Sequence, residues 1–474
     1  MKKSLALTIL VAILAVGGLL RVLHLNNESL WLDEGVTYYN SGAEDLSGVW
    51  DRVSDLDQSP PGYYMVMHYV QKVFGESERA FRLVSVVFGL LSIMFLYLLM
   101  AEAFSKEASL IAAFLLAVHP FHIGFSMEAR MYVLLSLEAL MGFYFLWKSM
   151  HAVKRKSYLW WGLFVLSSVA GIYTHNFYFF VLLAFALIFL LLLASVKNRS
   201  FQLLLGGMAA VTTIVLYLPW LDNLFYQLGV ERYWLAEVEW SELADYYLNF
   251  ADWNLFLMFG GYFLIVLGAA WVIYKKKKML AYLCFLVFIL AGLVVPMAYS
   301  VYFEPVLKIR YVVYILPILL GLVALGMDVM RKVHPVFVVL MMIAFVSVTS
   351  PQDLADYPAE FGEDFRAIVE VIENDPAEVI VHTPSLAHVM NFYGSDSFQI
   401  RPYPESDDLR EYAVGASDKK AFQKHVAGLD GFYLVISHSH EKPGGLLEIW
   451  SDELCQSFEE LDANGMRVWR VKGC

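Results

Sequence analysis

Ser29-Leu30-Trp31-Leu32-Asp33-Glu34 sets two adjacent carboxylates directly behind the first hydrophobic segment, and the rest of the chain is organised around it. Leu5 to Leu20 is apolar apart from Thr8, Gly17 and Gly18. Arg21 and His24 then bring the chain to a membrane surface, and the acidic pair follows within about one or two helical turns. A carboxylate in a low-dielectric border zone is costly unless partnered, so the pair reads as functional; a solvated acidic loop is the competing reading.

The composition supports a membrane setting. The 474 residues are 59% hydrophobic and 17% charged, whereas soluble domains are about half apolar and a quarter charged. Beyond residue 350 there are 23 Asp and Glu against 10 Lys and Arg; before it the numbers are 23 and 24. An acidic tail thus follows a nearly neutral membrane body, which argues against a nucleic-acid partner. Cys284 lies in an apolar segment, while Cys455 and Cys474 share the tail and can pair in an oxidising compartment. Met1-Lys2-Lys3 and the long apolar run behind it read as a retained first transmembrane helix rather than a cleaved signal peptide.

Apolar segments recur at 4–23, 82–103, 109–122, 131–150, 158–174, 177–195, 201–219, 255–274, 279–300, 311–330 and 335–350, which predicts about eleven spans. Lys2 and Lys3, Lys106, Lys154 to Lys156, Lys197 and Arg199, Lys275 to Lys278, and Arg331 and Lys332 fall in alternate connections. With the N-terminus cytoplasmic, every one of these clusters is cytoplasmic too, as the positive-inside rule requires. The other connections then face outward. The first, 24–80, is long; Leu46, Val49, Trp50, Val53 and Leu56 predict an amphipathic helix on the membrane surface, and Tyr63 to Phe74 a second interfacial segment. The loop 219–254 carries Trp220, Tyr226, Tyr233, Trp234, Trp240, Tyr246, Tyr247 and Trp253, which suit the headgroup level and equally a sugar-binding face.

Residues 1–350 therefore read as a membrane domain and 351–474 as a small extracytoplasmic α/β domain. In the latter, Phe365, Ile368, Val369 and Ile372 recur at helical spacing. Glu378 to His382, Phe432 to His438 and Met466 to Val471 read as strands, and Leu386 to Tyr393 and Lys419 to Val426 as helices. His438 and His440 read as surface histidines.

Four outward-facing ends supply polar groups: Asp33 and Glu34; His119, His122, Glu128, Arg130 and Tyr132; Tyr173, Thr174, His175 and Asn176; and Glu304, Lys308, Arg310 and Tyr311. Carboxylates mixed with Arg, Lys and His suit a substrate bearing a phosphate and hydroxyl groups. The duller reading of Lys308 and Arg310 is as interfacial anchors. His119, His122, Glu128, His175 and the acidic pair can also be read as metal ligands. However, His119-Pro120-Phe121-His122 lacks the helical spacing of a typical zinc pair, so no cofactor is assigned and a divalent metal stays an alternative.

The order of these motifs resembles the GT-C superfamily of polytopic glycosyltransferases, in particular the branch of protein O-mannosyltransferases and lipid A aminoarabinose transferases. The matching stretches are Leu30-Trp31-Leu32-Asp33-Glu34, Ser59-Pro60-Pro61-Gly62-Tyr63-Tyr64, Gly75-Glu76-Ser77-Glu78-Arg79 leading to Arg82-Leu83, Glu128-Ala129-Arg130-Met131-Tyr132, and Tyr173-Thr174-His175. The resemblance covers about residues 1–180; beyond them only the layout matches. It implies a GT-C-like polytopic helical fold and transfer of a sugar from a polyprenyl- or dolichyl-phosphate carrier to an acceptor hydroxyl on a protein, lipid or polysaccharide. It further implies Asp33 as general base with Glu34 beside it, and Arg130 as a phosphate ligand. Lys308 and Arg310 carry over by position only, and Glu128, Tyr132 and His175 as substrate contacts. His119-Pro120 is a departure, because an acidic residue often stands in this loop in relatives.

A lipid-phosphate leaving group needs cations rather than a strong acid, and the acceptor hydroxyl needs one base, so single displacement inverts the anomeric carbon. The expected protein is a multi-pass plasma-membrane glycosyltransferase, with membrane lipids and a lipid-linked sugar as partners. The alternative is a transporter or flippase of lipid-linked sugars. That alternative predicts ionisable residues in mid-span, where the sequence is almost wholly apolar.

Overall fold

The computed structural model describes residues 2–23, 25–57, 59–229, 237–252, 254–348, 364–373, 377–382, 384–394, 398–403, 419–436, 444–463 and 466–473. His24, Tyr233, Trp234, Trp253, His438, His440, Cys474 and the start of the tail at residue 351 lie outside them. The chain divides into two compact units. The first comprises 1–24, 82–225 and 232–357; the second comprises 25–81, 226–231 and 358–474. By packing, the loop 25–81 therefore groups with the tail, although it precedes all but the first span.

In chain order the helices are α1 (Lys3–Val22), α2 (Leu32–Ser41), α3 (Leu46–Leu56), α4 (Gly62–Phe74), α5 (Glu78–Ala103), α6 (Lys106–Val118), α7 (Pro120–Phe125), α8 (Tyr132–His151) and α9 (Lys154–Thr174). They continue as α10 (Tyr178–Ser195), α11 (Arg199–Tyr217), α12 (Leu221–Leu228), α13 (Leu243–Phe250), α14 (Leu255–Lys275), α15 (Met279–Tyr302), α16 (Ile315–Val333) and α17 (Pro335–Val348). Among the described residues seven are long and apolar enough to cross a membrane: α1, α5, α8, α10, α11 with its continuation to Leu228, α14 and α15. The other four expected segments are also helices. Of these, α6 and α17 have only 13 and 14 residues, and α9 opens on Lys154, Arg155 and Lys156.

The segment expected as one span over 109–122 is broken. Pro120 cannot donate to the carbonyl of Leu116, so α6 stops at Val118, His119 turns extended, and α7 starts on Pro120. The orphaned carbonyls explain Arg21. Rather than reaching a membrane surface, its guanidinium is fully buried and donates to Ala117 O at 2.9 Å, Leu116 O at 3.5 Å and Gly17 O at 2.8 Å. A buried cation here completes the end of α6.

In the second unit, Val49 and Val53 of α3 are fully buried, and α3 packs against α2 and α4. The centre of the apolar stripe expected to lie on the membrane, Val49 and Val53, is thus covered by protein, while Leu46 and Trp50 stay partly exposed. Helix α4 keeps an exposed apolar face through Val66, Tyr69, Val73 and Phe74, which suits an interfacial position.

The tail builds a five-stranded sheet in the order β2-β1-β3-β5-β4 from β1 (Glu378–His382), β2 (Ile400–Tyr403), β3 (Gly431–Ile436), β4 (Ser457–Ala463) and β5 (Met466–Lys472). The β2, β1 and β3 strands run parallel, and β5 and β4 pair antiparallel. Period-two alternation splits the core. Val379, Val381, Tyr433, Val435 and Val468 face α18 (Phe365–Glu373) and α19 (Pro384–Tyr393). Ile380, Phe432, Leu434, Trp469 and Val471 face α20 (Lys419–Val426) and, through Trp450, α21 (Gly444–Leu454). Cys455 at the end of α21 is disulfide-bonded, and Cys284 in α15 is a buried free thiol.

Candidate active site

The acidic pair opens α2, in the second unit. Asp33 and Glu34 both lie in its first turn, where the positive end of the helix dipole favours a carboxylate. They are not equivalent. Glu34 is fully buried, and its Oε2 accepts from the backbone N–H of Trp31 at 3.3 Å, the reach from N3 back to the N-cap that satisfies an orphan donor. Asp33 is half-buried, and its carbonyl, not its carboxylate, accepts from Thr37 Oγ1 at 3.3 Å. Glu34 thus anchors the turn and Asp33 is the more accessible carboxylate.

The first unit gathers most of the other expected residues. Glu128 and Arg130 lie in the turn before α8 and Tyr132 begins that helix, all three buried. His175 ends α9. Lys308 precedes, and Arg310 and Tyr311 belong to, the short 3-10 helix Ile309–Val312. The guanidinium carbons of Arg130 and Arg310 stand 5.9 and 5.8 Å from the centre of the Tyr132 ring. Tyr311 lies 6.0 Å from Tyr132 and 4.9 Å from His175, ring centre to ring centre. The structure therefore brings Arg130, Tyr132, His175 and Arg310 together, with Tyr311 as a fifth member. The Lys308 carbonyl takes the Tyr311 N–H at 3.0 Å and shapes that turn. Two guanidiniums over phenol rings form a cationic set with a fixed fork geometry, suited to phosphate oxygens.

His175 contributes a neutral donor. Its Nδ1 accepts from the Phe177 N–H at 3.1 Å, so the uncharged ring carries its proton on Nε2. Burial, and then the Arg130 and Arg310 guanidiniums, push its pKa down to about 3. A lowered histidine pKa keeps the ring neutral as pH falls through its ordinary value of about 6.5. Binding of a phosphate-bearing ligand is expected to show no inflection near that pH from this ring. A titration with an inflection there that vanishes in His175→Gln contradicts this protonation state.

Two buried arrangements were not anticipated by sequence. Glu138 lies inside α8, buried, and its Oε1 accepts from Thr174 Oγ1 at 3.0 Å, so the span interiors are less apolar than expected. Its signal is a lone acid in a long apolar run. The second is the contact of Arg21 Nη2 with His122 Nδ1 at 2.7 Å. A guanidinium only donates, so this nitrogen is the acceptor and its lone pair is engaged. His119 directs Nε2 to the Phe250 carbonyl at 3.0 Å. The three histidines considered as metal ligands, His119, His122 and His175, thus each use one ring nitrogen within the protein.

The comparisons with known proteins agree with this architecture. The sequence profile of the dolichyl-phosphate-mannose-protein mannosyltransferase family matches residues 58–221. That stretch includes Glu128, Arg130, Tyr132 and His175, and stops short of Asp33, Glu34, Lys308 and Arg310. No curated protein sequence gives a significant match. ArnT from Cupriavidus metallidurans in the apo state superposes with a TM-score of 0.68 at 15% identity, over 97% of each chain. The fold is that of the GT-C glycosyltransferases. The same ArnT bound to undecaprenyl phosphate gives 0.64 at 14% identity, again over 97% of each chain. A second GT-C structure is the archaeal oligosaccharyltransferase AglB from Archaeoglobus fulgidus, in complex with an inhibitory peptide and a dolichol-phosphate. It gives 0.62 at 12% identity over 99% of this chain and 74% of that one. The likeness of fold to ArnT covers 97% of the chain, so it reaches the middle and tail, where the sequence motifs match only in layout.

Proposed function

We propose that the protein transfers a sugar from a polyprenyl- or dolichyl-phosphate carrier to an acceptor hydroxyl at the outer membrane face, with inversion at the anomeric carbon. The observation that carries this reading is the convergence of Arg130, Arg310, Tyr132 and His175 in a GT-C fold. Relatives of that fold have been captured with undecaprenyl phosphate and with a dolichol-phosphate.

In this reading the two guanidiniums and the His175 Nε2–H take the phosphate oxygens. Asp33 takes the proton from the acceptor hydroxyl, whose oxygen bonds to the anomeric carbon as the bond from that carbon to the phosphate oxygen breaks. The carrier phosphate leaves with the electron pair, its charge met by arginine rather than by a transferred proton. Glu34 fixes the turn that presents Asp33. Neutralisation of the leaving group falls to Arg130 and Arg310, which leaves a divalent ion no required step. The positive clusters at Lys154 to Lys156, Lys275 to Lys278, and Arg331 and Lys332 support a cytoplasmic N-terminus. The disulfide at Cys455 suits an oxidising outer compartment for the tail.

The test is a panel of radiolabelled polyprenyl-phosphate sugars given to the purified protein in lipid, with membrane extract as acceptor. Release of carrier phosphate with transfer of label is the expected result. Tight binding of a carrier without release from any donor contradicts the reading and points to transport.

A further inference from the structure

The segment that presents the acidic pair is built into the core of the C-terminal domain. Leu30 is fully buried among Phe365, Ile368, Val389 and Tyr433, and Leu32 packs against the same cluster. Its backbone is tethered as well. The Leu30 N–H donates to the Tyr393 hydroxyl at 2.6 Å, and that hydroxyl donates to the Glu78 carboxylate. Glu78 also takes Arg366 Nε at 2.7 Å, and Arg366 Nη2 donates to the carbonyl of Glu28 at 2.6 Å. The Phe365 N–H donates to Ser29 Oγ at 3.1 Å. Glu28, Ser29 and Leu30, which lead into α2, are therefore held by α18 and α19.

Beyond the acidic pair the grip continues. Gly35 lies so close to α19 that a Cβ there would stand 2.1 Å from Val389 Cγ2 and 2.9 Å from the Val389 backbone nitrogen. No side chain fits without separating the two helices. Two rings on α2 then pack on α19: Tyr38 meets Phe392 edge to face with 5.2 Å between ring centres, and Tyr39 stacks on His388 at 3.8 Å. The turn carrying Asp33 and Glu34 sits between these two sets of contacts.

We infer that the C-terminal domain is a positioning device for the Asp33 carboxylate, with Tyr393, Arg366 and the Gly35–Val389 contact as its positioning residues. The inference rests on the reading of Asp33 as general base. Its logic is geometric: a base misplaced by about 1 Å can cost about 100-fold in rate while substrate affinity is untouched.

The test compares Tyr393→Phe, Gly35→Ala and Asp33→Asn, each with Tm, kcat and KM for the lipid-phosphate sugar, and adds the first two changes to the Asp33→Asn protein. Tyr393→Phe keeps the ring in the core and removes only the tether. The expected result is a fall of about 10- to 100-fold in kcat with unchanged KM. No further fall is expected in the Asp33→Asn background, because there is then no base to place. A purely structural role gives losses that follow Tm and persist in that background. Should Gly35→Ala fail to fold, Tyr393→Phe decides. Inactive Asp33→Asn together with fully active Tyr393→Phe overturns the positioning role alone. Fully active Asp33→Asn overturns the base assignment and the positioning role with it.

Discussion

Replacing both Arg130 and Arg310 by Ala is expected to weaken binding of the lipid-phosphate donor by about 10²- to 10⁴-fold. A hydrogen bond to a charged group contributes about 1.5–3 kcal/mol, and two such anchors acting on one phosphate give that range. The two guanidiniums share the Tyr132 ring as a platform, so any coupling between them shows as a departure of the double variant from the product of the two single effects. Each single variant is expected to raise KM by about 10- to 100-fold on the same basis. Arg130→Lys restores charge but not the planar fork, and recovers only part of the loss. The measurement is equilibrium binding of a polyprenyl phosphate in lipid, alongside KM for transfer. Unchanged affinity in the double variant contradicts the phosphate assignment.

The second large effect separates the two carboxylates. Asp33→Asn removes the proton acceptor and leaves the size of the side chain unchanged, so the expected loss is about 10²- to 10⁴-fold in kcat. Glu34→Gln behaves differently. Its side-chain oxygen can still accept from the Trp31 N–H, the contact the carboxylate makes, so kcat is expected to stay within about 10-fold. The changes are isosteric and sit in one turn, so a difference between them reflects chemistry rather than folding. Equal losses in both variants contradict the division of roles.

How far these features could be read from the sequence depends on the range of the interactions behind them. Membrane helices announce themselves as long apolar runs, and the strand Glu378–His382 is a short β-branched run that ends where expected. The strands that escaped notice lack such patterns. Ile400–Tyr403 has four residues with a proline among them, which an edge position tolerates because one side of the strand needs no partner. Ser457–Ala463 is acidic and also lies at an edge. Helix α21 opens on Gly444-Gly445, a poor helix start.

The site follows the same rule. The spacing from Trp31 to Glu34 is local, and an acid three residues past a helix start is a readable cap. Arg130 and Arg310 were visible as cations at outward-facing ends. Their meeting around Tyr132 was not, because no local pattern links residues so far apart in sequence. Arg21 was misplaced for a related reason: the carbonyls it satisfies belong to residues 95 and 96 positions away. The tethers from Arg366 and Tyr393 to Glu78 cross 288 and 315 residues. Nothing in the acidic motif itself signals that the C-terminal sheet region holds it.

The most direct test of the central claim measures donor binding and sugar transfer side by side in wild-type and Asp33→Asn protein, in the same lipid and with the same radiolabelled polyprenyl-phosphate sugar. The account predicts equal donor binding in both, with carrier-phosphate release and label transfer about 10²- to 10⁴-fold slower in Asp33→Asn than in the wild type. Transfer by Asp33→Asn at the wild-type rate contradicts it.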